Sequence, residues 1–552
     1  MFLREISAFS LKTIKKGVYT EGSLKNIYVC GMEKKMLPIG RQSFSDMRKD
    51  NCIYVDKTQH IYRLCTEGKT YFLSRPRRFG KSLLLSTLEE LFKGSQDLFH
   101  DTWIADKWDW TKKNPVIHIS FNVVPYETKG LEAGLRAYLL KLFKKHGLNA
   151  NGESDIKTLF YDLIEQLYER DGTVVILIDE YDKPIIDHLE HNEIEKAKEN
   201  QKALALFYGA LKDADAYIRL LFITGVSKFT QVSLFSKLNN LMDLTLHPRY
   251  ATMLGYTQKE LEDNFGDYLD DALLQHPNYT REAFFDKVRL WYNGYSWDGK
   301  SKLYNPFGVL LFLSNQDFQA FWFQSGTPVF LTKKMQEEAF FNADNIEVTT
   351  SFLDQYSLDN IEITSLMFQT GYLTIKDKFE DGELVLSYPN KEVRRAMYSF
   401  LMDGLAPVRG GNGTTVLHLK RAFLKNDLAQ VEAILKATFA SLAFDVYTHQ
   451  TQQQVEGFYH GLVHLLFRCL GLYMQSEVHN SSGRADSIVE TATHIYVFEF
   501  KINSDATAAF QQIIDKKYTE PFQADSRGKY GIGVNFNSLT RQLEGWKTDV
   551  IV

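Results

Sequence analysis

Five consecutive apolar residues, Val174-Val175-Ile176-Leu177-Ile178, run without a polar interruption into Asp179-Glu180. A strand with one wet face alternates apolar and polar side chains, whereas a strand apolar on both faces must be covered on both sides. Comparable short apolar runs recur at Tyr71–Ser74, Val116–Phe121 and Ile218–Thr224. Amphipathic stretches lie between them, including Asp155–Arg170 and Ala197–Ala214. This alternation predicts an α/β domain whose parallel sheet carries helices on both faces.

Chemistry gathers where these strands end. Ser74-Arg75-Pro76-Arg77-Arg78-Phe79-Gly80-Lys81-Ser82 lies between a strand and a helix starting near Lys81. Gly80, Lys81 and Ser82 supply the last three positions of the phosphate-binding pattern G-x-x-x-x-G-K-[ST], with Arg78 and Phe79 leading into them. In such a loop backbone N–H groups converge on phosphates, the lysine reaches the β/γ-phosphates and the hydroxyl reaches Mg²⁺. Arg75 stands where the pattern has its first glycine. Asp179 is the candidate second Mg²⁺ ligand beside Ser82, Glu180 the residue that polarises an attacking water, and Thr224 a sensor of the γ-phosphate, with Ser227 and Lys228 just beyond. The expected ligands are ATP and Mg²⁺. Arg75, Arg77 and Arg78 are placed either to touch phosphates or to brace neighbouring acids. Arg249 reads as an arginine finger or as half of an ordinary salt bridge.

A second constellation lies near the C-terminus. Gly483–Glu490 and Ile495–Lys501 read as adjacent strands joined by a short turn. Side chains two apart share a face, so Glu499 and Lys501 project together while Phe498 and Phe500 pack on the other side. Pairing the strands as a hairpin brings Asp486 to the same place. Two carboxylates can hold a hard divalent cation, and a nearby lysine can orient or deprotonate water and offset phosphate charge. That is the equipment of a metal-dependent phosphodiesterase.

This arrangement resembles the PD-(D/E)XK nuclease superfamily, with Asp486 as its Asp, and Glu499 and Lys501 as its Glu-x-Lys. The resemblance implies Asp486, Glu499 and Lys501 as catalytic residues, Asp486 and Glu499 as metal ligands, and Glu456 as the acid contributed by a preceding helix. It also makes Gln512 and Tyr518 candidates on the following helix, although six residues separate them, more than one helical turn. The chain as a whole, from Leu37 onward, resembles bacterial AAA-ATPase-like proteins with a C-terminal PD-(D/E)XK domain. That likeness rests on Leu37-Pro38-Ile39-Gly40, Tyr54-Val55-Asp56-Lys57-Thr58, Ser74 through Ser82, Leu177 through Pro184 and Thr224 through Phe229. It continues through Pro248-Arg249-Tyr250-Ala251, Tyr292-Asn293-Gly294-Tyr295 and Tyr388-Pro389-Asn390. The Arg-Pro-Arg-Arg-Phe-Gly-Lys-Ser loop is the form that family uses.

Length, 552 residues, argues for two to four domains. The expected order is an extension over 1–36, a P-loop NTPase domain over 37–255, a mainly helical middle over 256–409, a linker at 410–415 and an α/β PD-(D/E)XK-like nuclease domain over 416–552. The aromatic density of the middle, as in Leu290 through Trp297, reads as packing. Formal net charge is −5, and residues 401–552 carry 14 Lys+Arg against 15 Asp+Glu. A nucleic-acid partner, DNA ahead of RNA, must therefore be met by a local groove. Four scattered cysteines without metal spacing, no membrane-length apolar run and no signal peptide fit a cytoplasmic protein. The functional expectation is an ATP-binding and hydrolysing protein coupled to a Mg²⁺-dependent nuclease. The alternative is a nucleotide-dependent homo-oligomerising regulator whose nuclease-like domain binds nucleic acid or a protein without cutting.

Overall fold

The computed structural model describes residues 34–190, 193–228, 240–322, 331, 333–335, 338, 340, 343–354, 358, 361–405, 412–441, 452–470, 472–480, 483–540 and 542–551. The first domain is built on strands β1 (Thr70–Ser74), β2 (Val116–Ser120), β3 (Val174–Asp179), β4 (Ile218–Gly225) and β5 (Met242–Asp243). Among the described residues they form one parallel sheet in the order β2-β3-β4-β1-β5. β4 thus lies between the strand that enters the glycine-lysine loop and the strand that ends in Asp179. Every residue of β1 and β3 is buried, as their unbroken apolar runs require. Helices α1 (Lys81–Lys93), α2 (Leu131–His146), α3 (Ile156–Asp171) and α4 (Ile194–Asp213) flank this sheet. α3 starts where Asp155 accepts from the N–H groups of Lys157 and Thr158, a side-chain cap for otherwise orphaned donors. It buries Leu159, Phe160, Leu163, Ile164 and Leu167. Each such side chain taken from water contributes about 1.5–3 kcal/mol before entropy is counted.

The middle is mainly helical: α5 (Gln258–Leu274), α6 (Arg281–Tyr292), α7 (Pro306–Asn315), α8 (Ile363–Thr370) and α9 (Lys391–Leu405). Some of its aromatic residues, Phe284, Trp291, Tyr292, Phe312 and Phe321, are buried together in a second core that also takes in Ile53 and Val55. A three-stranded antiparallel sheet, β6 (Ile346–Thr349), β7 (Thr374–Lys378) and β8 (Glu383–Ser387), adds to these helices in the order β6-β8-β7.

The expected extension falls outside the described residues up to 33, while Met36 is already paired with Cys52. Of the expected linker, 410 and 411 lie outside the described residues, and 412–415 open helix α10 (Asn412–Leu424) instead. The glycines there are outweighed by the apolar face that follows. Leu419, Ala422 and Phe423 are buried, and the Phe423 ring lies 5.1 Å from Tyr496 and 5.7 Å from Phe467. That contact fixes the helix end that propensity alone would let fray.

Helices α11 (Leu428–Ala440) and α12 (Gln452–Cys469) lead into β9 (Tyr473–Asn480), β10 (Gly483–Glu490) and β11 (His494–Ile502). Helix α13 (Ala506–Asp515) then precedes β12 (Gly528–Asn537) and β13 (Gln542–Val550). The sheet order is β13-β12-β11-β10-β9, parallel only between β11 and β12. In that register Gly533 sits beside Glu499. A Cβ at 533 would meet the Ala506 carbonyl oxygen at 2.2 Å and the Phe510 nitrogen at 2.5 Å. A glycine here lets α13 lie directly against the sheet. Gly533→Ala therefore destabilises the protein by about 1–3 kcal/mol through overpacking and lifts α13 from Glu499. A fall in the urea midpoint, with unchanged m-value, checks this.

Candidate nucleotide pocket and metal centre

The loop between β1 and α1 borders a cavity of ≈ 530 Å³. This is within the size range of small-molecule sites. Arg77, Arg78, Phe79, Gly80, Lys81 and Ser82 line it from the loop. Glu180, Asn122 and Lys183 add polar groups, and Tyr54, Leu254, Tyr256, Phe307 and Leu310 add apolar ones. Left-handed backbone in the loop occurs at Arg78 (φ 68°) and Gly80 (φ 97°). Arg75 is not among the positive-φ residues, so its position does not need the glycine of the general pattern.

Lys81 is buried and donates to the carbonyl oxygens of Arg75 (2.9 Å) and Pro76 (3.0 Å). An ammonium has three protons to give, so a donor remains for a phosphate. Burial lowers its pKa, against the opposing pull of Asp179 and Glu180. Ser82 donates to Asp179 Oδ2 at 2.6 Å and Thr224 to Asp179 Oδ1 at 2.7 Å. A hydroxyl and a carboxylate oxygen thus meet at the end of β3, a donor set that suits Mg²⁺. Glu180 follows in a left-handed conformation (φ 54°), a backbone state costing on the order of 1–3 kcal/mol. Its carboxyl is pushed up by burial and by the neighbouring Asp179.

Other sequence candidates fall elsewhere. Thr224 is fully buried and turned to Asp179, so it positions that carboxylate. Ser227 donates to Asp182 at 2.7 Å, and Lys228 pairs with Asp243 at 2.6 Å. Arg75 turns away from the cavity: its guanidinium donates to the Thr245 carbonyl at 2.8 Å and lies 4.1 Å from the Trp297 ring. Arg78 stacks on Phe307 at 3.6 Å. Arg249 is largely exposed and 3.5 Å from Glu67, the salt-bridge reading. The aromatic wall and Lys183 went unnoticed in the sequence, because only the fold brings them to the loop.

The second site sits on the β10–β11 hairpin. Ser487 pairs with Phe498, and one step further Asp486 Oδ2 accepts the Phe500 N–H at 2.8 Å. Phe498 and Phe500 are buried in the main core, while Glu499 faces α13, where it accepts from Gln512. Gln512 in turn lies 3.2 Å from the Tyr518 hydroxyl. The six-residue spacing is bridged because α13 ends at Asp515 and the chain turns back through left-handed Lys517. Lys501 Nζ is 3.4 Å from Glu499 Oε1. Glu499 Oε2 is buried with no hydrogen-bond partner among the described residues. Burial, then the charge of Asp486, pushes the Glu499 carboxyl up to about 7. An orphaned acceptor and a carboxylate raised by its like-charged neighbour are what a cation would relieve. Glu456 lies on α12; its side chain is outside the described residues. Among the described residues no three His, Cys, Asp or Glu side chains converge as a metal-binding group, and no helix is long and apolar enough to cross a membrane.

Comparison with known proteins finds a family for each of the two domains. Residues 38–235 match the model of a family described as "Predicted AAA-ATPase", and residues 454–546 match that of the PD-(D/E)XK nuclease superfamily. An "Uncharacterized protein in vnfD 5'region" of Azotobacter chroococcum mcd 1 is 37% identical over 525 residues, covering 93% of this chain and 99% of that protein. The chain belongs to the AAA-ATPase-like proteins that carry a C-terminal PD-(D/E)XK domain. No solved structure matches it.

A pH dependence follows from Glu499 in this nuclease-like domain. Its folded-state pKa of about 7 lies above the ordinary 4.5. Its proton therefore favours the fold fully below about pH 4.5, and that contribution is lost as pH rises to about 7. Cation binding has the opposite sign, because the ligand must be ionised. Mg²⁺ affinity without nucleotide should rise about tenfold between pH 6 and 8. Glu499→Gln should remove both effects, read by calorimetric Mg²⁺ titration and by denaturation at each pH.

Proposed function

We propose that this protein binds and hydrolyses ATP at the cavity beside Lys81, and that its C-terminal domain is a Mg²⁺-dependent nuclease, with DNA ahead of RNA as substrate. For the first activity, Lys81 contacts the β- and γ-phosphates, Ser82 and Asp179 hold the cation, and Glu180 orients water. Tyr54, Tyr256 and Phe307 supply the apolar wall for the base. For the second, Asp486 and Glu499 hold the cation, Lys501 orients the attacking water or takes its proton, and Gln512 fixes Glu499. Glu456 joins from α12. Bound Mg²⁺ lowers the pKa of its water and offsets charge on the phosphate.

The observation that carries the nuclease reading is the paired Asp486 and Glu499, with one Glu499 oxygen buried and unbonded beside Lys501. The large majority of buried side-chain acceptors are bonded, so the unused oxygen favours a ligand over a plain structural pair. The test is a Mg²⁺-titrated cleavage assay on single- and double-stranded DNA and RNA, with and without ATP. Asp486→Ala and Lys501→Ala should lower cleavage at least 100-fold without loss of fold. Wild-type binding without cutting in every arm would sink the reading in favour of a regulator.

ATP binding has its own readout. Excess Mg-ATP at about 100 times Kd should stabilise the wild type by about 2.7 kcal/mol, seen as a higher Tm. Lys81→Ala should abolish that shift. A shift that survives in Lys81→Ala would place ATP elsewhere.

A further inference from the structure

A further cavity, ≈ 570 Å³ in volume, lies where the middle meets helix α12. Its walls bring together Asn293-Gly294 and Tyr388-Pro389, two family segments that neither candidate active site uses. Arg289, Lys302, Lys376, Arg394 and Arg468 line it, and Asp344 is the one carboxylate in the lining. Arg394 bonds Asp344 at 2.9 Å and Arg468 lies 3.8 Å from it. Arg289 is paired with Asp286 outside the cavity lining. Lys302 donates to the Lys376 carbonyl at 3.1 Å and Lys376 to the Asn345 side chain at 2.9 Å, both neutral acceptors. Lys302 also lies in the field of Asp298 and Asp377. Five cations face Asp344 in the lining and Asp286, Asp298 and Asp377 beside it, so one positive charge remains in excess.

A second, independent feature marks the same place. Tyr388 is 4% exposed, and its hydroxyl has no hydrogen-bond partner among the described residues. A buried hydroxyl left unbonded is destabilising, and a phosphate oxygen would satisfy it. Arg394 Nε is likewise buried and unbonded.

We infer that this basic cavity binds the phosphodiester backbone of a nucleic acid and feeds it to the hairpin site. The inference rests on the nuclease reading for its direction, and on the cavity for its location. Arg468 is twelve residues beyond Glu456 on the same helix, roughly 18 Å at 1.5 Å per residue. That is about five steps of a strand at 3.4 Å per nucleotide. One strand can therefore touch the cavity and the level of Glu456 together. A near-neutral C-terminal region then needs no basic surface of its own, because the middle region provides it.

The test is fluorescence anisotropy of a labelled 20-nucleotide single strand on the full chain in Ca²⁺, across a salt series, with cleavage in Mg²⁺ measured in parallel. Lys302→Ala/Lys376→Ala removes two exposed cations and leaves the buried pairs intact. It should weaken binding about tenfold and reduce the log–log salt slope by about 1.4, at roughly 0.7 per phosphate contact. The Mg-ATP thermal shift should be unchanged. Unchanged affinity and slope in the double variant would overturn the inference, as would a wild type that binds no strand. Displacement of the strand by equimolar pyrophosphate would overturn it in favour of a small phosphorylated ligand. Weakened binding in a protein that never cuts would keep the inference and remove the nuclease reading.

Discussion

Lys81 lies buried with two of its donors taken by the carbonyls of Arg75 and Pro76, and Asp179 and Glu180 oppose the lowering of its pKa by burial. Without those two bonds a buried ammonium would give up its proton or pull the loop open. The bonds also make the loop's shape depend on the lysine, and the loop is held from behind as well. Arg75 is tied to Thr245 and Trp297. Pro76 presses so closely on Gly371 that a Cβ there would come within 2.6 Å of it. Gln369, from the same turn of the middle region, accepts the Lys228 N–H at 2.9 Å. The glycine-lysine loop is thus shaped jointly by its own lysine and by the middle region.

The hairpin site meets the same constraint with the opposite charge. Asp486 has a backbone N–H to accept and Glu499 has Gln512 and Lys501, yet one Glu499 oxygen remains unbonded. Burial and a like charge both oppose ionisation there. The site is under electrostatic tension that stability alone does not explain, since a neutral side chain of the same shape would remove it. Such tension is found where a group is matched to a ligand or a reaction.

Much of this could be read along the chain because it is local. Unbroken apolar runs gave β1, β3 and β4 within a residue or two, since burial on both faces leaves one pattern of side chains. The hairpin was legible from alternation alone, with Phe498 and Phe500 on one face and Glu499 on the other. What the chain hides is convergence of distant segments. Nothing near Tyr54, Tyr256 or Phe307 says that they face one loop, and the spacing of Gln512 and Tyr518 misleads until the turn after Asp515 is known. The glycines at 410, 411 and 413 suggest a linker because glycine lowers local helix propensity, but Phe423 packing on Tyr496 decides the matter from ten residues beyond the last of them. Arg75 stands where the general pattern has its first glycine. The backbone shows that left-handed geometry has moved to Arg78 and Gly80.

The two sites are joined by apolar packing, not only by chain. One cluster of buried side chains runs from the β1 residues Tyr71 and Phe72 through Tyr295, Trp297, Leu366 and Phe368 of the middle to Phe423, Phe467, Phe498 and Phe500. Packed cores shift between discrete arrangements more readily than they deform continuously. A phosphate that draws Lys81 off the Arg75 and Pro76 carbonyls changes the loop exactly where Trp297 and Gly371 press on it. The middle region is then the element through which ATP occupancy would reach the basic cavity, because it forms both the back of the loop and the cavity's walls. Packing continuity makes this coupling physically available; only a differential contact in two states would give it a free energy. The Lys81 hydrogen bonds to the two carbonyls would become such a contact if a bound phosphate took one of them over.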